Sequence, residues 1–352
     1  MRPEALEALV ADAPTYLGTS HRQAPVKFMV SRLRNAVAEL LTLPDGYEVI
    51  LGNGGTTVFW DAAIFGLIEN KSQHLSFGEF SSKFAQCATG APFLADPTVI
   101  AAPAGEAAEA VAETGVDLYA LTHNETSTGV SMPIVRPHGA DAGALVAVDA
   151  TSAAGALKFD AAQTDVYYFA PQKALASDGG LWIAAVSPAA MERIERIAQS
   201  DRWVPASIDL KIAMDNSLKD QTYNTPALAT IHLAVSQMEW INTNGGLGMS
   251  SARSAKNAEI MYGWAESSDY ATPFVADPAF RSNVIATIDL DDSVEATTVS
   301  AVLRANGIVD TDSYRKLGRN QLRIALFPAI DSEDVEALTR CIDHVVNELR
   351  SA

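Results

Sequence analysis

The sequence predicts an α/β fold with a mostly parallel sheet in a large domain, followed by a smaller α+β domain. Short apolar runs that resemble strands alternate with helical stretches up to about residue 190. Long helices then take over, and the last hundred or so residues alternate strand, helix, strand and helix. Strands joined by crossover helices form parallel sheets that are covered on both faces, which is the basis of this prediction.

The elements of the first part follow in order. Apolar residues at helical spacing in PVKFMVSRLRNAVAELL predict a helix over residues 25–41. A short buried strand, YEVIL, and a mostly apolar helix, TTVFWDAAIFGLI, come next. Further strands are predicted at HLSF, TVIAA, DLYALTH, ALVAVDA, VYYFA and LWIAAV.

The second part begins with three predicted helices, AAMERIERIAQ, PALATIHLAVSQMEWI and SARSAKNAEIMYGWAES. The strand NVIATIDL, the helix VEATTVSAVLRANG, the strand LRIALF and the helix SEDVEALTRCIDHVVNELR then follow. We place the domain boundary near residue 250, after the Gly-rich NGGLG. The expected division is a large domain over residues 16–250 and a small domain made of residues 1–15 and 251–352.

Composition and charge limit the function classes. The chain has 352 residues, 48% of them hydrophobic, which is enough for a large core and two domains. A formal net charge of −18 argues against nucleic acid or an anionic membrane as partner. Cys87 and Cys341 have neither disulfide-framework nor metal-ligand spacing, so no metal site is expected. Without a signal pattern or an apolar run of ~20 residues, we expect a cytoplasmic protein.

One lysine, Lys173, lies between two apolar runs in YYFAPQKALASDGGLWIAAV. Burial of an unpaired ammonium is costly, so a lysine at this position must have a reason to be there. We expect its side chain to extend from a strand end into a sheltered place. A desolvated lysine has a lowered pKa and can act as an amine nucleophile.

A carboxylate, Asp149, stands at the C-terminal end of the predicted strand in ALVAVDATSA. Sheets of this type keep their ligands at that edge, where a carboxylate can hold a positive charge. The alternative is that Asp149 caps a helix N-terminus, a task for which Thr151 or Ser152 is equally suited.

A Gly-rich turn, LGNGGTT, follows a strand and opens a helix, an arrangement that can bind an anion. It lacks the Gly-Lys-Ser/Thr of a P-loop and the third glycine of a dinucleotide fingerprint. A phosphate cradle of another kind and a plain tight turn both remain open. The loops LTHNETSTGV and TSHRQAPV are also polar, and the second offers His21 and Arg22 either as anion contacts or as solvated loop residues.

The order of these features suits pyridoxal 5′-phosphate. The Gly-rich turn would take the phosphate, the strand-end Asp149 would keep the pyridine nitrogen protonated, and Lys173 would hold the aldehyde carbon.

Six motifs together resemble the phosphoserine aminotransferase family, in its actinobacterial-type branch. They are TSHRQAPV, GNGGTT, HNETSTG, VDATSAAG, YYFAPQKALASDGG and QTYNTPA, and they come in the family's order over nearly the whole chain. This family belongs to the class V, fold-type I enzymes that depend on pyridoxal phosphate. The resemblance implies a seven-stranded, mostly parallel sheet in the large domain, this cofactor, and a homodimer with shared active sites.

The resemblance also implies roles for individual residues. Lys173 and Asp149 would be the catalytic residues: Lys173 would carry the cofactor and move the substrate proton, and Asp149 would pair with the pyridinium. The residues implied to bind the cofactor are Thr56, Thr57, Phe80, Thr126, Asp149, Gln172, Lys173, Asn224 and Thr225. Asn224 and Thr225 would come from the neighbouring subunit. Phe80 would stack on the cofactor ring where many relatives have Trp, although core packing is an alternative for it.

The residues implied to bind the substrate are His21, Arg22, Arg323 and Lys316. Arg323 matches the arginine that grips the α-carboxylate, a task suited to its planar fork. Thr57 and Lys316 stand where many relatives have Arg and His that contact the substrate phosphate. Lys316, with Arg315 and Arg319, either replaces that charge or is solvated surface charge.

The implied reaction transfers the amino group of glutamate to 3-phosphooxypyruvate and yields O-phosphoserine and 2-oxoglutarate. It serves serine biosynthesis and, in some relatives, also pyridoxine biosynthesis. One alternative is another class V enzyme, such as an alanine–glyoxylate-type transaminase or a cysteine desulfurase, although neither Cys87 nor Cys341 is well placed for the latter. A second alternative is a catalytically silent dimer that only binds pyridoxal phosphate.

Overall fold

A computed structural model describes residues 1–351. The described residues form ten α-helices, which are α1 Pro3–Tyr16, α2 Ala24–Leu40, α3 Thr56–Gly66, α4 Glu79–Thr89, α5 Pro188–Ala198, α6 Leu210–Ser217, α7 Leu228–Thr243, α8 Gly246–Ser267, α9 Ala296–Ala305 and α10 Ser332–Ser351. Their twelve strands are β1 Glu48–Asn53, β2 Ser72–Ser76, β3 Thr98–Ala101, β4 Leu118–Thr122, β5 Asn124–Glu125, β6 Val130–Ser131, β7 Leu145–Asp149, β8 Val166–Phe169, β9 Leu181–Val186, β10 Ala271–Pro273, β11 Ile285–Leu290 and β12 Gln321–Ala325.

The large sheet has seven strands in the order β1-β9-β8-β7-β4-β2-β3. Strands β8, β7, β4, β2 and β3 pair in parallel, whereas β9 runs antiparallel to both of its neighbours. Strand β1 therefore points the same way as β8. The C-terminal ends of β1, β2, β4, β7 and β8 meet at one side of the sheet, here named the C-terminal edge. The predicted mostly parallel sheet is confirmed, and each of its seven strands was predicted.

Both faces of this sheet are covered, which explains why its central strands have continuous apolar runs rather than alternating ones. Successive side chains of β8 point to opposite faces. Tyr167 packs in the core on the side of α2 and α7, together with Leu33 and Ile231. Tyr168 packs on the other side, where its ring stacks 4.3 Å from that of Phe59 in α3.

The C-terminal part forms a second, three-stranded antiparallel sheet in the order β10-β11-β12. Helices α8, α9 and α10 share a buried apolar core with this sheet, as the sequence predicts. The predicted boundary near residue 250 falls inside α8, which contacts α7 of the large domain as well as α10. The exact division between the domains stays a prediction.

Helix α1 packs against α7 and α2. The Tyr16 hydroxyl donates to the Leu228 carbonyl at 2.9 Å, and His232 Nε2 lies 2.9 Å from an Asp12 carboxylate oxygen. The buried Tyr16 belongs to the core of the large domain, in line with the predicted range 16–250, and the grouping of residues 1–15 with the small domain stays a prediction.

None of the helices within residues 1–351 is both long and apolar enough to cross a membrane.

Candidate active site

The C-terminal edge of the large sheet gathers most of the residues that the sequence predicts for the site. Asp149 ends β7, and Lys173 lies in the loop after β8. Thr56 begins α3 after β1, and Phe80 is in the first turn of α4 after β2. Thr126 follows β4 and β5. Residues that are far apart in the chain thus converge because parallel strands end on the same side.

Asp149 is buried and accepts three hydrogen bonds. Its Oδ1 accepts from the Thr151 amide at 3.0 Å and from the Thr151 hydroxyl at 2.5 Å, and its Oδ2 accepts from Trp60 Nε1 at 3.2 Å. Burial raises the pKa of this carboxyl, and the Thr151 and Trp60 donors oppose that rise. Residues 151–156 form turns rather than a helix, so Asp149 does not serve as a helix N-cap.

Trp60 contacts the candidate site, although its sequence context does not predict it. It lies on α3, is 2% exposed, and directs its ring N–H at the carboxylate. The only signal in the sequence was the apolar character of its helix, which predicts burial but not which buried ring carries a polar contact.

The Lys173 amine is half-buried, and burial followed by the nearby Arg323 guanidinium lowers its pKa. Arg323 comes from β12 of the small domain and is itself half-buried. Its guanidinium carbon lies 5.5 Å from the centre of the Tyr314 ring. The Tyr314 ring lies 6.0 Å from the Phe80 ring of α4, so this part of the small domain approaches the C-terminal edge of the large sheet.

Thr126 is buried in a small polar network. Its hydroxyl donates to Ser152 Oγ at 2.9 Å, and Asn124 Nδ2 donates to the same oxygen at 2.8 Å. The carbonyl oxygen of the Asn124 side chain is buried without a partner. A buried acceptor without a partner is uncommon in folded proteins, so this oxygen is an unsatisfied position in the network.

The Gly-rich turn opens α3 without a side-chain cap at Gly55. Gly54 has a φ of +104°, and a Cβ there would lie 2.6 Å from Val58 Cγ2, so only glycine fits. Thr56 is half-buried and Thr57 exposed. Uncapped backbone N–H groups at a helix N-terminus favour an anion, which supports the phosphate-cradle interpretation over that of a plain turn.

Four of the predicted residues lie together near the surface and are here named the His21 cluster: the half-buried His21 and the exposed Arg22, Asn224 and Thr225. His21 Nδ1 lies 3.1 Å from the Thr225 hydroxyl. The Thr225 carbonyl accepts from Asn53 Nδ2 at 3.1 Å, which places the cluster beside the end of β1. Burial, then the Arg22 charge, lowers the pKa of His21.

Lys316 and Arg323 line one cavity of about 710 Å³ in the small domain, together with Tyr314 and Arg315. Lys316 Nζ also pairs with Glu79 of α4 at 2.5 Å. Arg319 pairs instead with Asp289 at 2.5 Å, which favours a surface role for Arg319. Gln172 is exposed in the loop that carries Lys173.

A lowered-pKa lysine and a buried carboxylate at the C-terminal edge of such a sheet define a class of enzyme that binds an aldehyde cofactor. The chain belongs to the class V aminotransferases, since the model of that family (aminotransferase class-V) matches residues 95–338. It is therefore an aminotransferase that depends on pyridoxal 5′-phosphate.

Within the family, curated relatives named phosphoserine aminotransferase are similar to the chain over almost its whole length. That of Rhodococcus jostii (strain RHA1) is 58% identical, covering 99% of this chain and 93% of the relative. That of Nocardioides sp. (strain ATCC BAA-499 / JS614) is 60% identical, covering 98% and 92%.

Solved structures share the fold at lower identity. The phosphoserine aminotransferase of Cytophaga hutchinsonii has a TM-score of 0.87 at 23% identity, covering 97% of this chain and 93% of that one. An alanine–glyoxylate aminotransferase from Nostoc sp. has a TM-score of 0.79 at 19% identity, covering 98% and 92%. Because transaminases with different substrates share this fold, the fold alone does not select the substrate.

Proposed function

We propose that the protein transfers the amino group of L-glutamate to 3-phosphooxypyruvate, which gives 2-oxoglutarate and O-phospho-L-serine. The observation that carries the proposal is that Asp149 and Lys173 follow the paired strands β7 and β8 at the C-terminal edge, while Arg323 lies 5.5 Å from the Tyr314 ring, which is 6.0 Å from the Phe80 ring of α4. Relatives at 58% and 60% identity that are named phosphoserine aminotransferase supply the substrate class. The step serves serine biosynthesis, and pyridoxine biosynthesis is a second pathway that the same chemistry could serve.

The residues at the edge fit pyridoxal 5′-phosphate. The cofactor phosphate requires an anion site, which the uncapped N-terminus of α3 offers with Thr56 and Thr57. Gln172 is a further candidate contact for that phosphate. Asp149 would hold a proton on the pyridine nitrogen, and Phe80 and Thr126 would contact the ring. When bound, this cofactor supplies an electron sink beside the substrate's α-carbon.

Lys173 would act on the substrate proton as well as hold the cofactor. Its lowered pKa increases the fraction of neutral amine at pH 7, and only a neutral amine can accept a proton. The amine would take the proton from the α-carbon and later return one. Arg323 would orient the α-carboxylate of each substrate in turn through two parallel hydrogen bonds.

The substrate phosphate would be bound by positive groups near this edge. Lys316 pairs with Glu79 in the first turn of α4, next to Phe80, which places its ammonium near this edge and supports it as one such group. His21 and Arg22 are further candidates, and they lie on the surface beside Asn224 and Thr225. We infer that the protein is a cytoplasmic homodimer in which the His21 cluster of one subunit completes the site of the other.

The holoenzyme absorption spectrum tests the cofactor part of the proposal. Addition of glutamate should convert the aldehyde-form band of the wild-type enzyme to the amine form, and 3-phosphooxypyruvate should reverse the change. Lys173→Ala should show no conversion. Lys158→Ala, which removes an exposed lysine, should behave as the wild type.

A coupled assay tests the substrates. Turnover with alanine and glyoxylate but not with glutamate and 3-phosphooxypyruvate would contradict the proposed substrate pair. A stable holoenzyme spectrum with no conversion by any amino donor would instead indicate a silent binder.

A further inference from the structure

We propose that Glu125 is a positioning residue that fixes the first turn of α4, and with it Phe80, relative to Thr126. The inference rests on the proposed function, because Phe80 and Thr126 are there assigned to the cofactor. Glu125 is not itself a candidate contact to cofactor or substrate. It would act through the two residues that it holds in place.

The Glu125 side chain is completely buried and surrounded by donors. Its Oε2 lies 3.1 Å from the Phe80 amide, 2.9 Å from the Ser81 amide and 2.9 Å from the Ser81 hydroxyl. Its Oε1 lies 3.2 Å from the Ser127 amide and 2.7 Å from the Ser127 hydroxyl. One oxygen therefore binds the start of α4, and the other binds the loop that carries Thr126.

The junction leaves no free space. A Cβ at Gly78 would lie 2.3 Å from Glu125 Cγ and 2.7 Å from Ser127 Oγ, so the helix N-terminus closes directly onto the carboxylate. The Glu79 amide also donates to Ser127 Oγ at 2.9 Å. Because a residue with a Cβ cannot fit at position 78, the start of α4 lies in close contact with Glu125 and Ser127.

Helix α4 has no side-chain cap of its own, since Gly78 is its N-cap residue. The first N–H groups of a helix lack partners within the helix and favour a negative charge. Glu125 supplies this cap from a different segment of the chain. The carboxylate that accepts from the first N–H groups of α4 therefore fixes the position of the Phe80 main chain. It thereby also sets the distance between the Phe80 ring and Thr126.

The chain offers a matched control at the opposite edge of the sheet. Asp117 precedes β4 and accepts from the amides of Glu69, Asn70 and Lys71 at 2.9, 2.6 and 2.9 Å. Both carboxylates thus hold consecutive backbone N–H groups. Only Glu125 does so at the edge where the cofactor is proposed to bind.

The test compares Glu125→Gln with Asp117→Asn in the purified protein, with and without pyridoxal phosphate. Each amide keeps the shape of the side chain but replaces an acceptor oxygen with a donor, so bound N–H groups lose a partner. Both variants should lower the melting temperature. Only Glu125→Gln should reduce the visible circular dichroism of the bound cofactor and weaken its affinity about tenfold, the order expected for a lost hydrogen bond to a charged group.

The protein without cofactor gives an independent readout. Hydrogen exchange at the Phe80 and Ser81 amides should be faster in Glu125→Gln and unchanged in Asp117→Asn. If Glu125→Gln does not fold, Ser127→Ala is the milder variant, since it removes one donor and leaves the carboxylate in place, and it should weaken cofactor affinity by a smaller factor.

Unchanged dichroism, affinity and exchange in Glu125→Gln, with a lowered melting temperature alone, would overturn the inference and leave Glu125 as a structural cap. Failure of the wild-type protein to bind pyridoxal phosphate would overturn the proposed function and this inference together. Binding without turnover of the phosphorylated substrate would contradict only the substrate assignment.

Discussion

At the scale of single residues, the site depends on buried polar groups whose partners are supplied from elsewhere in the chain. Asp149 would pay a large desolvation penalty as a buried anion if it had no donors. Thr151 lies two residues away and supplies two of them, whereas Trp60 supplies the third from α3. The carboxylate is therefore held in one orientation at the end of its strand.

Replacement of this third donor should be measurable. Trp60→Phe removes the N–H that faces Asp149 and should raise the pKa of that carboxyl further. We expect the free energy of unfolding at pH 7 to fall by about 1–3 kcal/mol, since the buried charge loses a hydrogen bond. Urea denaturation of the protein without cofactor measures the change.

A matched control is Trp264→Phe, because Trp264 Nε1 donates to Asp343 at 2.9 Å in the small domain, where Asp343 is only half-buried. Water can replace that donor, so its loss should cost less. Equal losses in the two variants would contradict the importance of burial at Asp149.

Two buried histidines should make the protein sensitive to acid. Burial lowers the pKa of His123 to about 4 and that of His74 to about 3. In the unfolded chain each titrates near its ordinary value of about 6.5, so the unfolded state binds more protons below that pH. Stability should therefore be complete above pH 6.5 and should decrease as the pH falls toward 4.

Urea unfolding between pH 4 and 8 tests this expectation. His123→Gln should reduce the slope of stability against pH below 6.5. His138→Gln, at an exposed position, should leave it unchanged. A wild-type stability that is flat over this range would show that the two imidazoles are not held neutral by burial.

The sequence predicted Asp149 and Lys173 because each has a local signature, a polar residue at the end of an apolar strand. It did not predict Trp60 or Glu125. Their contacts join positions 89 and 44 residues apart, and nothing in either local pattern specifies the partner. The packing of helices on the sheet decides which buried side chains come into contact. A local sequence pattern does not specify such long-range partners.

At the scale of elements, Gly129 allows strand β11 of the small domain to pack closely against the loop that carries Thr126. Gly129 lies between Thr126 and β6 with a φ of +74°. A Cβ there would lie 2.6 Å from Thr287 Oγ1 and 3.2 Å from the Ile285 carbonyl of β11. The Thr287 hydroxyl donates to the Thr128 carbonyl at 2.9 Å, so β11 is bonded directly to this loop.

Gly129→Ala should therefore be more harmful than an ordinary glycine substitution. The left-handed backbone alone costs about 1–2 kcal/mol for a residue with a Cβ, and the clash with β11 adds to it. Gly143→Ala is the control, since its φ is +86° and no atom lies within 4 Å of the added Cβ. Thermal unfolding should show a larger decrease in melting temperature for Gly129→Ala, and equal decreases would contradict the close approach of β11.

Strands of four or more residues were predicted from the sequence, whereas strands of two or three residues were not. All seven strands of the large sheet were predicted because each overlaps a short run with apolar residues; six of these runs are mostly buried, whereas the edge strand β3 is partly exposed. Strands β5, β6 and β10 are two or three residues long and exist only through partners, so no run predicts them. Helix α1 was not predicted, and only two of its side chains, Ala5 and Tyr16, are buried.

At the scale of the whole molecule, the two domains both contribute to the proposed site. Arg323 from β12 lies close enough to lower the pKa of Lys173, and Lys316 pairs with Glu79 of α4. Arg22, Asn224 and Thr225 of the His21 cluster are exposed, as expected for residues that a second subunit would cover. Shared sites in a homodimer lead to a direct prediction about mixtures of variants.

Lys173→Ala and the double variant Asn224→Ala/Thr225→Ala should each be inactive alone. In a mixed dimer with shared sites, one site combines the altered position 173 of one chain with the altered positions 224 and 225 of the other. The second site receives the unaltered Lys173, Asn224 and Thr225 and is intact. Random pairing of the two coexpressed chains makes about half of the dimers mixed, and each mixed dimer has one intact site of its two. The activity, averaged over all sites, should therefore be about a quarter of the wild-type value.

The control pairs Lys173→Ala with Asp149→Ala. Both residues belong to the same subunit's site in this proposal, so that mixture should remain inactive. Absence of recovery in the first mixture would contradict the shared arrangement.

The reversed direction of β9 has a mechanical consequence for the lysine. The loop from Pro171 to Gly180 is a hairpin between two central strands, with Gly180 bonded to the Gly54 amide at 3.0 Å and Ser177 bonded to the Thr230 carbonyl at 2.7 Å. The two flanking strands and these two hydrogen bonds hold the loop in place, so it is poorly suited to open and close as a lid. In the proposed function, the Lys173 amine would therefore move between the cofactor and the substrate proton by rotation about its own side-chain bonds rather than by movement of this loop.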